Sequence, residues 1–298
     1  MKQKLIQMIA IAVSPLLMSS AMAAQLFKTP DAAGEALVQA LESNDQLALQ
    51  RIFGKKNWDL IISGDTVDDQ NRYAAFAKSY REAHQWREKG KNQQVLEVGS
   101  DPNPFAIPLI RDQGGWVFAG TTGRAEMLTR RIGLNELSAI ETLKTVAQAQ
   151  REYYLQQPEG SSLLHYADKI VSSPERKDGL FWPSKDGEAT SPMGSFFANA
   201  AQEGYSKKSE PYHGYYFKIL KQQGTAAKDG AYSYVENGKM FGGFAVLAWP
   251  ASYGRSGVMS FITNHDGVIY QRNLGKSTAE VANRMVSFNP EKGWDAVE

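Results

Sequence analysis

The stretch Asn135–Tyr154, NELSAIETLKTVAQAQREYY, decides the fold class. At 100° per residue, Leu128, Ile132, Ile140, Leu143, Val146, Ala147 and Tyr154 fall within an arc of roughly 120°, the stripe of a core-facing helix. Glu141, Lys144, Gln148 and Arg151 lie away from it. Asn135 reads as an N-cap, and Gly133 as a break or bend just before it. A helix from Asn135 to Tyr154 runs roughly 30 Å, the width of a small domain, so its stripe needs a cover.

The cover lies downstream. Tyr212–Leu220 alternates, with Tyr215, Phe217 and Ile219 on one face and Tyr216, Lys218 and Leu220 on the other. Phe241–Trp249 (FGGFAVLAW) is apolar on both faces, as a central strand covered on both sides requires. The central helix covers one face, and the first unit or the segment 158–211 is expected on the other. Val258–Thr263 and Val268–Gln271 flank the turn His265-Asp266-Gly267. One long helix followed by meandering strands is an α+β, helix-on-sheet unit.

Upstream, Thr29-Pro30-Asp31 reads as an N-cap with proline at N1. A helix through Ala36, Leu37, Ala40 and Leu41 follows, then a short one ending at Gly54. A third is expected over Asp68–His84, with Tyr73, Phe76, Ala77, Tyr80 and His84 on one face. Val95–Val98, Ala106–Ile110 and Trp116–Ala119 read as strands, closing a second α+β unit near Gly120–Arg124. Residues 158–211, between the central helix and its sheet, form a long Gly-, Pro- and Ser-rich insertion with a short helix expected at Ser195–Glu203. Ser277-Thr278-Ala279-Glu280 reads as a capping box for a last helix.

Residues 1–23 read as a cleaved export signal. Lys2 and Lys4 precede the apolar run Leu5–Met18, and Ala21-Met22-Ala23 fits a cleavage site. Removing the two lysines leaves 31 basic against 32 acidic residues, a balance that argues against nucleic acid as a partner. No later segment is apolar enough to span a bilayer. With no cysteine there is neither disulfide nor thiolate metal site. The remaining length, about 275 residues, supports a core without staples and favours two units, 24–123 and 124–298.

The motifs RRIGLNELSAI, AQREYY, DGLFWP, YHGYYFKIL, GGFAVLAWPASYGRSGVMSF and NHDGVIYQRNLG, spread from about Phe27 to Trp294, resemble the bacterial family catalogued as domain of unknown function 2950. The resemblance implies an exported protein and brings no catalytic or binding residue with it. At the level of fold, the first unit is similar to a nuclear-transport-factor-2-like cone. The second resembles the globular part of type IV pilins and pseudopilins, but Arg124, Glu126, Arg130 and Arg131 stand where a pilin has an apolar helical half.

Candidate chemistry is scattered. His84, with Tyr80 beside it, closes the face of the third helix, and in a cone fold that face lines a pocket with Asp65 or Asp69 as partner. Against this stands the length of a helix over Asp68–His84, roughly 24 Å, which holds His84 and the aspartates at opposite ends. His165 or His213 with Asp178 makes an acid–base pair if the insertion folds over the sheet; the competing reading is that these residues cap a core. Arg255 in YGRSG is either an anion contact or an exposed hairpin arginine. Asp186-Gly187, Asp229-Gly230 and Asp266-Gly267 are scattered turns, short of the six to eight oxygens calcium takes, so no metal or cofactor is expected. The reading these features support is a non-enzymatic periplasmic binding or scaffolding protein, whose partner is an envelope protein or a small ligand. Its rivals are a hydrolase or lyase with a pocket in the first unit, and a cell-envelope assembly factor docking a partner on a sheet edge.

Overall fold

Thr29 accepts a hydrogen bond from Ala32 N at 3.1 Å, so α1 (Pro30–Glu42) starts where its cap and proline dictate. This computed structural model describes residues 24–184, 190–207 and 210–297; the expected signal over 1–23 and the Asp186-Gly187 turn lie outside them. Asp45 caps α2 (Gln46–Phe53), a single turn α3 (Trp58–Ile61) follows, and Asp65 caps α4 (Thr66–Glu82). The helix expected through His84 therefore stops earlier. Ala83 is extended, and His84 opens β1 (His84–Glu88), an exposed strand. It pairs with β2 (Gln93–Val98), which also pairs with β3 (Asn103–Pro104) and β4 (Leu109–Asp112); β5 (Gly115–Phe118) closes the antiparallel sheet. Leu37, Leu49, Phe53 and Leu60 from the helices meet Leu109 and Phe118 from the sheet in one apolar core.

The central helix is longer than its stripe announces. α5 (Gly120–Gln156) runs 37 residues without interruption, roughly 55 Å. Gly133 lies inside it, and Asn135 is a buried mid-helix residue rather than an N-cap. The expected boundary at residues 123/124 falls within this helix. Its two ends belong to different cores: Met127 and Leu128 pack on the first, whereas Ala139, Leu143, Val146 and Tyr153 are buried in the second. Gly123 is needed because a Cβ there would lie 2.5 Å from Ala106 O and 2.6 Å from Ile107 Cα. Burying each large side chain of the second half contributes about 1.5–3 kcal/mol.

After α5 the insertion holds β6 (Lys169–Val171), paired in parallel with β7 (Gly179–Phe181), and α6 (Gly194–Gln202), close to the predicted position. The second sheet begins with β8 (Tyr215–Leu220). Two short ribbons follow, β9 (Gln222–Gln223) with β10 (Tyr232–Ser233) and β11 (Val235–Glu236) with β12 (Lys239–Met240). Then come β13 (Ala245–Pro250), β14 (Met259–Asn264), β15 (Ile269–Asn273) and, after α7 (Thr278–Arg284), β16 (Asp295–Ala296). The order is β16-β15-β14-β13-β8, antiparallel throughout, so β8 is an edge.

Every residue of β13 is buried, as its two-sided apolar pattern predicts. One face meets α5. The other is covered by α7, not by the first unit or the insertion: Lys218, directly across from Leu247, donates from Nζ to Ala282 O at 2.8 Å. Ser277 makes no side-chain cap for α7, so the expected capping box does not form.

Candidate functional site

The sequence-derived candidates fall into separate places. Asp65, Asp69 and His213 come together at a polar seam where the start of α4, the middle of α5 and the approach to β8 meet. Asp65 is 1% exposed and accepts three hydrogen bonds, from Asp68 N at 3.1 Å, Tyr205 Oη at 3.0 Å and Gly214 N at 2.9 Å. Asp69 takes Ser63 N on both oxygens, at 3.1 and 2.9 Å. Arg72 donates to Asp68 at 2.6 Å and to Asn135 at 2.7 Å, and Asn135 passes the chain on to Ser256 O at 2.9 Å. Arg131 donates to the carbonyl of Leu60. Gly214, at φ +77°, is required here because a Cβ would fall 2.5 Å from Asn135 Nδ2.

His213 sits between two carboxylates, with Nδ1 3.5 Å from Asp68 Oδ1 and Nε2 3.2 Å from Glu203 Oε2. Burial alone would lower its pKa; the Asp68 contact and the charges of Glu203, Asp68 and Asp65 outweigh it and raise the value. The Asp68 carboxyl, penalised by burial, is nevertheless held below its usual value by His213 and Arg72. Asp69 goes the other way, since burial outweighs its Ser63 bonds. Burial likewise lowers Arg131. The acid–base groups of this seam are spent on one another and on backbone, which is the chemistry of a clamp between chain segments.

Tyr80 and His84 lie elsewhere, at the far end of α4. Their rings stack with centroids 3.8 Å apart, and His84 Nδ1 is 3.1 Å from Tyr80 O. His84 is exposed, and α4 separates it from Asp65 and Asp69. Arg255 is half-buried in its turn and donates to Ser252 Oγ at 2.7 Å.

His165 and Asp178 border a polar cavity of about 220 Å³ together with Glu159, Lys169, Arg176 and Lys239. They do not form the pair expected of them. Asp178 accepts from Lys169 Nζ at 2.6 Å and Ser173 N at 2.7 Å, which bring it down to about 2 against the opposing effect of burial. His165 faces Glu159, Nε2 to Oε2, at 3.6 Å, and Glu159 also holds Lys239 and Arg176.

A larger recess than this one involves none of the candidates. A cavity of about 540 Å³ lies beside the edge of β8, over Thr142 and Val146 of α5. Ile170 and Val171 of β6 form one side, and an aromatic wall forms another. In that wall Phe181 stacks on Phe197 at 4.2 Å, Phe197 meets Phe196 edge-on at 5.7 Å, and Phe196 and Tyr205 each meet Tyr212 at 4.9 Å. Phe181, Phe196, Phe197, Tyr212, Phe217 and Ile219 are all only half-buried. Burial pushes the Tyr212 hydroxyl up to about 12, with Glu203 adding to it. Tyr205 ties the wall to the seam through Asp65. The sequence signal was the pair Phe196-Phe197 on a nine-residue helix that has no second face to hide them. A smaller apolar cavity of about 270 Å³ lies in the first unit among Leu37, Phe53, Tyr73, Phe76 and Phe105, and Asp69 and Arg131 also border it.

The family described as "Protein of unknown function (DUF2950)" matches residues 24–297. The chain belongs to the DUF2950 family. No curated protein and no solved structure matches it. The aromatic recess and the polar seam of this DUF2950 protein both lie within the matched residues. Among the described residues, no helix is long and apolar enough to cross a membrane, and no cluster of His, Asp and Glu is arranged to hold a metal ion.

Proposed function

We propose that this DUF2950 protein is an exported, non-catalytic binding protein of the periplasm that takes an apolar ligand into the groove beside β8. The observation that carries this reading is the continuous wall of half-buried aromatic rings around about 540 Å³ of space, in the size range of ligand sites. A wall of this kind that only filled a core would be closed over; left half-exposed, it retains apolar area for a ligand to cover. The titratable groups support the same reading, because Asp68 is engaged with His213 and Arg72 in the seam, and Asp178 with Lys169 in the polar cavity. The hydrolase or lyase alternative has less behind it: the first-unit cavity is bordered by Asp69, while His84 stacks on Tyr80 outside it.

Likeness to a nuclear-transport-factor-2-like cone for residues 24–123 and to a pilin globular domain for 124–298 is part of the proposal. An apolar cavity between helices and sheet supports the first, and one long helix on an antiparallel sheet supports the second. Export rests on the tripartite pattern of residues 1–23, and an intact mass starting at Ala24 or Gln25 in the periplasmic fraction tests it.

Titration with the neutral fluorophore N-phenyl-1-naphthylamine tests the groove. Saturable enhancement is expected, weakened about tenfold or more by Phe197→Ser, which removes roughly 1.5–3 kcal/mol of apolar contact. Phe76→Ser, in the first-unit cavity, is expected to leave it unchanged. The reverse pattern would sink the proposal.

A further inference from the structure

The edge of β8 says what kind of ligand the groove takes. Residues 214, 216, 218 and 220 of this strand turn their main-chain groups toward β13, as Ala251 N bonding Gly214 O at 2.9 Å and the register opposite Pro250 fix. The odd residues turn theirs outward. Tyr215 exchanges both its bonds with Tyr212, at 2.8 and 3.1 Å, and Lys221 O accepts from Tyr234 N at 2.9 Å. Between these two clasps stand Phe217 and Ile219, whose outward N–H and C=O groups meet no backbone partner among the described residues. The open window from Tyr215 to Lys221 spans about 20 Å at roughly 3.3 Å per residue. It faces the aromatic recess, and the side chains of Phe217 and Ile219 line that recess.

A lipid tail or small apolar molecule would cover the rings and leave these four groups without a backbone partner among the described residues. An extended peptide satisfies both demands. Its backbone bonds the edge, and alternate side chains reach the floor and the aromatic wall. Resting on the reading of the groove as a binding site, we infer that the ligand is an extended peptide segment with apolar side chains at alternate positions, added to the second sheet as a further strand next to β8. β6 bounds the slot. Asp168 just before it pairs with Lys221 at 2.8 Å, so the slot is fastened at the end where β8 finishes. The occupant is accordingly short, matched to two or three residues of edge.

The test uses the mature chain and a panel of blocked pentapeptides such as acetyl-Ser-Phe-Ser-Leu-Ser-amide, each with a twin N-methylated at the amides that would meet β8. Binding is followed by isothermal titration and by amide hydrogen exchange. The expected result is a peptide that binds, slows exchange at Phe217 and Ile219 by tenfold or more, and loses at least tenfold in affinity on N-methylation. Peptide and twin binding equally, or no peptide binding at millimolar concentration while the naphthylamine probe still binds and responds to Phe197→Ser, would overturn strand addition and leave the groove standing. Failure of the probe as well would remove the groove itself.

Discussion

Asp65→Ala tests the seam, and its cost follows from the contacts. The carboxylate is the cap of α4, worth about 1 kcal/mol. It is also the acceptor for Tyr205 Oη and Gly214 N, and each donor left without an acceptor costs about 1–3 kcal/mol. The tyrosine hydroxyl can rotate toward water and the buried Gly214 amide cannot, so the total is about 3–5 kcal/mol. That is a large share of the ordinary stability of about 5–15 kcal/mol. In urea, with a slope of about 3 kcal/mol per molar, the midpoint should fall by about 1–1.7 M at unchanged slope. Asp65→Asn keeps one oxygen for Asp68 N but turns an amide on Gly214 N, so its loss should be intermediate. A midpoint shift below roughly 0.3 M for Asp65→Ala, read by circular dichroism, would refute the view that this carboxylate joins α4 to the approach to β8.

Three further outcomes are expected. The pKa of His213 is raised on folding above 6.5, so its contribution is complete below that value and is lost as pH climbs through the raised one. The stability gap between wild type and His213→Gln should therefore narrow from pH 6 to pH 9 in urea melts, and a constant gap would contradict the ion-pair account. Gly123→Ala should destabilise despite alanine's helix propensity, because its Cβ would meet the backbone of Ala106 and Ile107; a rise in thermal midpoint would show the contact to be wrong. Gly133→Ala meets nothing within 4 Å inside a continuous helix, so it should stabilise by about 1 kcal/mol, and a loss would restore a break at that glycine.

The second half of α5 was legible because Leu143, Val146 and Ala147 repeat at the helical period over the second core. Its first half was not. There Met127 and Leu128 pack on the first core, but the helix is also held by a glycine, by Arg124 bonded to Asp59 and by Arg131 bonded to the carbonyl of Leu60, residues that carry no periodic signal. β1 was hidden for a different reason: Tyr80 and His84 sit four apart and do stack, as a helix face would arrange them, yet the chain turns extended at Ala83. Cover for β13 was expected from the first unit or from residues 158–211 and comes from α7, since a two-sided apolar strand says that both faces are covered and not by what. Of the candidate residues far apart in the sequence, Asp65, Asp69 and His213 come together. Their meeting depends on pairings such as His213 with Asp68, 145 positions apart, which no local pattern encodes. The groove was readable only as surplus: more rings in residues 158–211 than one short helix and two strands could bury.

Methyl-labelled nuclear magnetic resonance during titration with the naphthylamine probe tests the central claim most directly. The account predicts that the methyl signals of Val146, Ile170, Val171, Met193 and Ile219, which line the groove, move together and saturate with the fluorescence. Shifts confined to Leu37, Leu41, Leu60 and Met127 around the first-unit cavity, with the groove methyls still, would contradict it.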